Sequence, residues 1–303
     1  MGSLPFVSVI IPTFNRSATL LRAINSVLRQ SHSHLELLIV DDGSTDETAE
    51  IVRSIDDERV RYIDLGRNCG VSVARNVGVE ASRGKFIAFQ DSDDEWLPDR
   101  LERQLDVFVK EPDTAFVFCS LARILKGGAT RVIPSGVMPA SRDAFVARLL
   151  SSNFIWTQTW LVRSEVIKKL GFDDDIKRIQ DWDLALKIAS KYRVVHVNEV
   201  LVVAYFTEGS LLSLTRQRAL DLKIMLETQR DLLERHPAIL GEYYRSIAVA
   251  LRESDESGYL QPLYWAAKSF FQSPLNVSSW LTFGATLFGG AGSRVARRYH
   301  LRS

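Results

Sequence analysis

Three carboxylates follow an apolar run of the sequence at close spacing. The apolar residues 86–89 precede Gln90, which is followed by Asp91, Asp93 and Asp94. Like charges this close repel one another, and a fold tolerates them most easily when a cation lies between them. The Asp-x-Asp spacing suits a hard divalent ion, Mg²⁺ or Mn²⁺, held by one or two carboxylates together with substrate phosphates. The cluster therefore indicates a metal–diphosphate site.

The same cluster has an alternative interpretation that involves no chemistry. Acidic clusters usually form solvated turns or helix N-caps. Asp94 and Glu95 precede a helix that Pro98 is expected to begin, so these two carboxylates could serve as caps only. The choice depends on what the fold places beside them.

The first 110 residues alternate between strand and helix patterns. Short apolar, β-branched runs predict strands at 7–11, 37–40, 60–63 and 86–89. Helical spacing and capping residues predict helices at 19–29, from Thr45, at 72–81 and at 98–109. This order predicts an α/β fold with a mostly parallel, twisted sheet covered by helices on both faces. Ligands of such sheets bind beyond the carboxyl ends of the strands.

The ends of the first two strands carry residues suited to a nucleobase. Phe14, within Pro12-Thr13-Phe14-Asn15, could stack on a base, and Asp42 could accept the imide N–H of uracil or thymine. Core packing is the alternative for Phe14, and a turn cap through Gly43 is the alternative for Asp42.

The remaining candidates suit the ribose and diphosphate of a nucleotide-sugar. Asp91 could reach the ribose and Asp93 the metal, with Ser92 between them. Gly70 permits close approach of the backbone, and Arg75 supplies a fixed positive charge near phosphate. A simple bend at Gly70 and a solvated helix position for Arg75 are the alternatives.

The alternation weakens in the second half of the chain. The patterns predict strands at 115–124, 130–133, 193–197 and 200–205, and helices at 141–150, 164–170 and 180–190. From about residue 211 the pattern is helical, with breaks at His236-Pro237, Ser257-Gly258 and Ser273-Pro274. We therefore expect a domain at 1–210, with a nucleotide-binding half at 1–97 and an acceptor half at 98–210. A helical C-terminal extension at 211–303 follows.

Four motifs occur in order along the first hundred residues. They are Val7-Ser8-Val9-Ile10-Ile11-Pro12-Thr13-Phe14-Asn15, Leu38-Ile39-Val40-Asp41-Asp42-Gly43-Ser44-Thr45-Asp46, Asn68-Cys69-Gly70-Val71-Ser72-Val73-Ala74-Arg75-Asn76 and Asp91-Ser92-Asp93-Asp94. With these motifs the chain resembles the large family 2 of inverting glycosyltransferases, which have the GT-A fold. The resemblance is specific over residues 7–97 and looser to about residue 205.

The resemblance implies nucleotide-sugar binding at Thr13, Phe14, Asp42 and Asp91, with Asp93 on Mg²⁺ or Mn²⁺. Together with the residues beside them and the candidates above, the full set of expected nucleotide-sugar contacts is Pro12, Thr13, Phe14, Asn15, Asp42, Gly70, Arg75, Asp91 and Ser92. The resemblance also implies a catalytic base at the start of a helix, and Asp181 falls on that position. Gln180 replaces the family's usual Glu, so the resemblance does not extend to a second acidic contact at that position. A helix N-terminal carboxylate, favourable with the dipole, is the alternative for Asp181.

The acceptor side is less defined. Trp156 and Trp182 supply aromatic surface that could stack on sugar rings, although such residues are more often core. Family members often carry a basic or His residue after the last strand, and residues 205–210 offer none. The loop at 208–214 could still close over the donor.

Composition limits the partners. A net charge of +1 indicates no general attraction to nucleic acid, and two distant cysteines favour a reduced, cytoplasmic protein. Residues 275–290 carry no charge, and Arg294, Arg297, Arg298 and Arg302 follow. This tail either lies on the inner face of the cell membrane or packs on the body or a second subunit. We expect a nucleotide-sugar donor and a carbohydrate or lipid-linked glycan acceptor.

Three other functional classes share parts of this pattern. A glycoside hydrolase also uses two carboxylates but needs no nucleotide site. A sugar-phosphate nucleotidyltransferase usually begins with a Gly-rich basic loop, which residues 12–17 do not form. A non-catalytic nucleotide-sugar-binding module would not need both Asp93 and Asp181.

Overall fold

The N-terminal strands form the buried centre of an α/β sheet. The strands in this part of the chain are β1 (Val7–Thr13), β2 (Leu35–Asp41), β3 (Val60–Asp64) and β4 (Phe86–Phe89). Every residue of β1, β2 and β4 is buried, as expected for strands that helices cover on both faces. The pairs β1–β2, β2–β3 and β1–β4 are all parallel. Their carboxyl ends therefore meet along one edge, called the sheet rim below.

Three helices connect these strands: α1 (Ser17–Leu28), α2 (Thr48–Arg53) and α3 (Val71–Ala81). The prediction that Thr45 caps α2 is wrong. The helix begins at Thr48, whose backbone N–H donates to Asp46 Oδ1 at 3.1 Å. The backbone N–H of Thr45 instead donates to Asn15 Oδ1 at 2.8 Å, so Thr45 ties the loop after β2 to the loop after β1.

The sheet continues in the second half with mixed strand directions. The elements are β5 (Glu95–Trp96), α4 (Arg100–Lys110), β6 (Thr114–Ile124), β7 (Thr130–Ile133), α5 (Arg142–Ser151), a 3₁₀ turn (Thr157–Thr159), β8 (Trp160–Arg163), α6 (Ser164–Leu170), α7 (Gln180–Lys191) and β9 (Arg193–Ala204). The strand order is β3-β2-β1-β4-β8-β6-β9-β5, with β7 on β6. The α/β class is confirmed, and the parallel order of the first half gives way to the antiparallel pairs β4–β8 and β6–β8.

Several details of the second half differ from the sequence-based expectations. The short strand β8 was not predicted, and the two predicted strands at 193–205 form one strand with a register irregularity beside Ser120. Asp94 and Glu95 are not helix caps, because Glu95 and Trp96 pair with β9 and α4 begins only at Arg100.

The computed structural model describes residues 5–206, 215–254 and 258–288. The chain divides into two compact units, one made of Met1–Leu149, Asn153–Asp174 and Gln180–Glu208 and the other of Leu150–Ser152, Asp175–Ile179 and Gly209–Ser303. The second unit contains α8 (Thr215–Thr228), α9 (Arg230–Glu234), α10 (Pro237–Glu253), α11 (Leu260–Gln272) and α12 (Val277–Leu287). In these described segments none of the helices combines the length and apolar character needed to cross a bilayer. The loop at 208–214 and the four tail arginines lie outside the described residues.

A buried carboxylate holds the first four strand segments in register. Glu36 on β2 accepts hydrogen bonds from Ser8 Oγ on β1 and from the Arg83 backbone N–H before β4, both at 2.7 Å. It also pairs with Arg61 on β3 at 2.7 Å. Burial opposes ionisation of Glu36, but the hydrogen bonds from Ser8, Arg83 and Arg61 outweigh burial and lower its pKa.

Replacing this carboxylate is expected to destabilise the sheet in a pH-dependent way. Glu36→Gln loses the ion pair and leaves Arg61 facing an amide, so the free energy of unfolding should fall by about 2 kcal/mol or more at neutral pH. Because the folded-state pKa of Glu36 is lowered, its contribution is present above the unfolded-state pKa and is lost as pH falls through the folded-state pKa. Urea denaturation of the wild type and Glu36→Gln from neutral to acidic pH should show the difference in their free energies of unfolding become smaller as the pH falls. Glu80→Gln, which removes an exposed carboxylate on α3, is the control. A deficit of the same size at every pH would contradict the assignment.

Candidate functional site

The sheet rim brings together three segments that are far apart in sequence. Thr13 at the end of β1 lies beside Asp41 at the end of β2 in the parallel register. The backbone N–H of Asp42 donates to the Thr13 carbonyl at 2.8 Å, and that of Gln90 donates to the Ile10 carbonyl at 3.0 Å. The polar residues after β1, β2 and β4 therefore lie along one edge, as expected from the sequence.

The loop after β1 presents an aromatic ring to solvent. Phe14 is 40% exposed, so the core alternative for this residue does not hold. Asn15, in the left-handed region with φ of 51°, bonds the neighbouring loop through its backbone and its side chain. Pro12 and Thr13 are buried within β1. Phe14 is thus the residue of this stretch whose side chain is available for stacking.

Asp42 has a different environment from the one the turn-cap alternative describes. Its two carboxylate oxygens accept the backbone N–H groups of Cys69 at 2.6 Å and Gly70 at 2.9 Å. Each oxygen keeps capacity for a further donor. Gly70 has φ of 98°, and a Cβ at this position would meet no atom within 4 Å, so the backbone here faces open space. Asp42 therefore positions a loop that a ligand can approach closely.

Asp94 behaves differently from the other two acidic residues of its cluster. It is buried and accepts hydrogen bonds from Gln158 Nε2 at 2.8 Å and from the Tyr205 backbone N–H at 3.0 Å. Burial, followed by the charges of Asp91 and Asp93, raises the pKa of Asp94 well above its ordinary value. Asp94 ties the loop after β4 to the end of β9, which is a structural role.

Arg75 on α3 is a buried cation at the centre of the site. It is 5% exposed, so it is not a solvated helix residue. One amino group, NH2, donates to Asp91 Oδ1 at 3.2 Å and to Thr157 Oγ1 at 3.0 Å. Its Nε and NH1 have no hydrogen-bond partner among the described residues. The guanidinium therefore keeps free donors beside Asp91.

The charge of Asp181 reaches Asp91 although 90 positions separate the two residues. Burial raises the pKa of Asp91 to about 6; Arg75 opposes this rise, and Asp93 and Asp181 add to it. Burial also raises the pKa of Asp181, opposed by the charge of Arg75 and by hydrogen bonds from Asn153 and the Trp182 backbone. A carboxylate from the loop after β4 and one from α7 thus share one cation, Arg75.

This donor set fits a hard divalent cation that is only partly coordinated by protein. Asp91 and Asp93 are partly exposed carboxylates in excess over the positive charge of Arg75. Within the described part of the chain, no three or more His, Cys, Asp or Glu side chains group into a site that could hold a metal. An ion here would need further oxygen ligands, such as the phosphates of a bound nucleotide.

Asp181 lies in the first turn of α7. Asn153 Nδ2 donates to its Oδ2 at 3.1 Å, and the Trp182 backbone N–H donates to its Oδ1 at 2.8 Å. The neighbouring Gln180 is buried, and its side-chain oxygen has no partner among the described residues. Gln180 therefore points into the interior, and the exchange of Glu for Gln avoids an uncompensated buried charge.

The two candidate acceptor tryptophans lie between core and surface. Trp182 Nε1 donates to the Leu149 carbonyl at 2.6 Å. The guanidinium of Arg123 lies 5.1 Å from the centre of the Trp156 ring. Both rings are partly buried, so part of each remains accessible.

Sequence reasoning missed three residues that hold the site together. Arg22 on α1 donates to the Asp93 carbonyl and stacks on Tyr205, with 3.9 Å between the guanidinium carbon and the ring centre. Gln158 holds Asp94, and Asn153 holds Asp181. Helical spacing places Arg22 on α1 but does not reveal its partners.

The fold and site define a glycosyltransferase with the GT-A fold. Residues 8–171 match the model of Glycosyl transferase family 2, and the chain belongs to this family. Family membership removes the hydrolase and nucleotidyltransferase alternatives.

Two bacterial relatives carry provisional glycosyltransferase assignments. WcaA of Escherichia coli, assigned to colanic acid biosynthesis, is 31% identical over 215 residues, which are 65% of this chain and 75% of that protein. TuaG of Bacillus subtilis, assigned to teichuronic acid biosynthesis, is 43% identical over 126 residues, which are 41% of this chain and 50% of that protein.

Solved structures share the fold at low sequence identity. S. aureus TarS 1–349 in complex with UDP-GlcNAc has a TM-score of 0.67 at 20% identity, covering 94% of this chain and 92% of that chain. The mannosyltransferase PcManGT from Pyrobaculum calidifontis, in complex with GDP-Man and Mn²⁺, has a TM-score of 0.59 at 20% identity, covering 96% and 87%.

Removing the hydrogen bond to Asp181 is expected to move the pH profile of transfer. The hydrogen bond from Asn153 lowers the pKa of Asp181, so Asn153→Ala should raise that pKa. If Asp181 acts as a base, the acid limb of log kcat/KM against pH then shifts to higher pH. Asn198→Ala, at an exposed position on β9, should leave the profile unchanged. An unshifted acid limb in Asn153→Ala would show that this contact does not tune the reaction.

Proposed function

We propose that this protein transfers a sugar from a nucleotide-sugar, with a UDP-sugar favoured, to an acceptor hydroxyl with inversion and with the help of a divalent metal. One observation carries the proposal: the buried cation Arg75 acts on both Asp91 at the sheet rim and Asp181 on α7, and the charge of Asp181 reaches Asp91. A catalytic carboxylate beside a diphosphate-binding edge is what a single displacement at the anomeric carbon requires.

Asp181 is the proposed general base. It would take the proton from the acceptor hydroxyl as the hydroxyl oxygen attacks the anomeric carbon and the bond to the diphosphate breaks. Burial raises the pKa of Asp181, which makes it a stronger base than an exposed aspartate. The charge of Arg75 and the hydrogen bond from Asn153 oppose this rise and favour the ionised form that a base requires. Its place in the first turn of α7 also favours the charged form.

The donor would lie along the sheet rim. Phe14 offers an exposed face for the base, Asp42 an acceptor for its N–H, and Gly70 an open backbone position. The remaining proposed donor contacts are Pro12, Thr13, Asn15, Arg75, Asp91 and Ser92. TarS, which shares the fold, has been solved with UDP-GlcNAc, and this supports the choice of a UDP-sugar.

Asp93, with Asp91 beside it, would hold Mg²⁺ or Mn²⁺. Such an ion would supply positive charge to stabilise the diphosphate leaving group. The excess of carboxylates over positive charge supports this assignment, as does the Mn²⁺ in the complex of PcManGT, which shares the fold.

The relatives support a proposal for the wider role. Their assignments to colanic and teichuronic acid biosynthesis support a role in bacterial polysaccharide synthesis, with a carbohydrate or lipid-linked glycan as acceptor. Trp156 and Trp182 are the proposed acceptor contacts. We assign the glycosyltransferase domain to residues 1–210 and a helical extension to 211–303. A cytoplasmic protein that contacts the inner face of the membrane, alone or as a homo-oligomer, fits this role.

Asp181→Asn tests the catalytic proposal. The amide keeps the shape of the side chain but cannot take the proton from the hydroxyl group of the acceptor. The kcat should therefore fall by about 10²-fold or more, while the Kd for UDP stays unchanged. Transfer assays with a panel of UDP-, GDP- and dTDP-sugars and calorimetry with UDP measure the two effects. Asp143→Asn, the same change in the first turn of α5, is the control. Near-normal turnover in Asp181→Asn would sink the assignment. If the wild type binds UDP but transfers no sugar from any of these donors, the chain is a binding module.

Asp93→Ala tests the metal proposal. It should weaken UDP binding by about tenfold in the presence of Mn²⁺ and leave the weaker binding in EDTA unchanged, because the ion links the carboxylate to the diphosphate. Asp113→Ala removes an exposed carboxylate elsewhere and should have no effect. Identical calorimetric titrations for wild type and Asp93→Ala in Mn²⁺ would count against a metal ligand at this position.

A further inference from the structure

Helices α11 and α12 carry large apolar side chains on their outer surface. Nine of the sixteen exposed large hydrophobic residues in the described chain lie within residues 258–288. Phe271 is 77% exposed and Trp280 is 55% exposed. A protein surface in water seldom concentrates side chains of this size in so short a segment.

The inner face of the same helices consists of small residues, most of them polar. Ser269 and Ser279 are fully buried, and their hydroxyl groups bond each other at 2.8 Å across α11 and α12. Thr282 and Thr286 are also buried, and Thr286 Oγ1 donates to the Thr282 carbonyl at 2.7 Å. A helix that faces water has the reverse arrangement, with apolar residues inward and polar residues outward.

The outward residues fall on helical faces. On α12, Val277, Trp280 and Leu287 follow the i, i+3, i+10 spacing of one face, and on α11 Tyr264 and Phe271 are seven positions apart. Trp280 Nε1 donates to the Pro274 carbonyl at 2.6 Å. The exposed indole therefore brings no unsatisfied donor into an apolar environment, which removes the main cost of burying a tryptophan there.

The charge of this segment separates it from the rest of the chain. Residues 257–303 contain five Lys or Arg and no Asp or Glu, whereas residues 1–256 contain 33 Lys or Arg against 37 Asp or Glu. Lys268 on α11 lies among the exposed aromatics, 4.8 Å from the centre of the Tyr264 ring. An apolar face inside a purely basic segment complements a surface that has an anionic outer layer over an apolar interior.

We propose that the outward face of α11 and α12, formed by Tyr264, Phe271, Leu275, Trp280, Leu287 and Phe288, docks on an anionic lipid bilayer. The helices lie in the plane of the interface, with the aromatic and aliphatic side chains among the upper acyl chains and the basic groups at the headgroups. A second copy of the chain on this face would bring two purely basic segments together, so repulsion disfavours that occupant. The proposal is independent of the transfer reaction.

Vesicle co-sedimentation of the full chain tests the docking surface. The wild type should bind vesicles of equal parts phosphatidylcholine and phosphatidylglycerol, and more weakly at high salt, but not vesicles of phosphatidylcholine alone. The double variant Phe271→Ser, Phe288→Ser should lower the partition coefficient by about tenfold or more, because two exposed aromatic side chains no longer enter the bilayer. Val109→Ser, at a 78% exposed apolar position on α4, is the matched control and should bind like the wild type.

Two outcomes of co-sedimentation overturn the proposal. The first is wild-type protein that stays in the supernatant with anionic vesicles, and the second is a double variant that binds as well as the wild type. Light scattering adds a third: if the wild type is a dimer that does not bind vesicles and the double variant is a monomer, the face is a subunit interface.

A measurement on nearly native protein covers the case in which the double variant misfolds. Brominated lipids in the anionic vesicles should quench part of the tryptophan fluorescence of the wild type, and Trp280→Phe should lose most of that quenched part. Equal quenching in wild type and Trp280→Phe would place the contact elsewhere and overturn the proposed orientation.

Discussion

The guanidinium of Arg75 is buried against Asp91 and bonds Thr157, and its charge opposes the rise in pKa that burial imposes on both Asp91 and Asp181. A buried cation without an anionic partner costs several kcal/mol, so this arginine requires the carboxylates around it. The carboxylates in turn require a cation, because burial and mutual repulsion favour their neutral forms. This dependence holds the end of β4, the 3₁₀ turn and the start of α7 around one charge.

Several carboxylates surround the buried cation Arg75. Asp91, Asp93 and Asp181 act together at the rim, and repulsion from the other two adds to the raised pKa of Asp91. Asp94, from the same motif, has a different role because Gln158 and Tyr205 satisfy both of its oxygens inside the fold. Adjacent carboxylates in one acidic motif therefore divide into a partly exposed pair, Asp91 and Asp93, and a buried residue, Asp94, that links two segments of the fold.

The second, helical unit differs from this charged site in how its last two helices pack. Its last two helices, α11 and α12, bury hydroxyl groups and expose aromatic rings. Burial of the large apolar side chains on their outer face therefore does not contribute to the packing of these helices within the unit. The aromatic contacts of Phe270 with Trp280 and Phe283, at ring-centre distances of 4.4 and 5.2 Å, fix the two helices against each other instead. These contacts hold α11 and α12 together while the aromatic side chains of the outer face stay exposed.

The sequence by itself determined the α/β order, the residues at the sheet rim and the family. The spacing of apolar residues is a local property of the sequence, so it predicts the order of strands and helices. Parallel strands place their carboxyl ends on one edge, so the same pattern also predicts which residues lie at the sheet rim. The sequence did not reveal the start of α2, where Asp46 rather than Thr45 accepts a hydrogen bond from the first helical N–H. It also did not reveal the strand β8, because four residues are too few for a recognisable pattern of alternating polarity. Tertiary structure alone decided that Arg75 is buried and that Asp94 is held by residues 64 and 111 positions away. Tertiary structure likewise brought the charge of Asp181 within reach of Asp91. Those results depend on contacts between distant segments, and no local periodicity records which distant side chain will satisfy a buried charge.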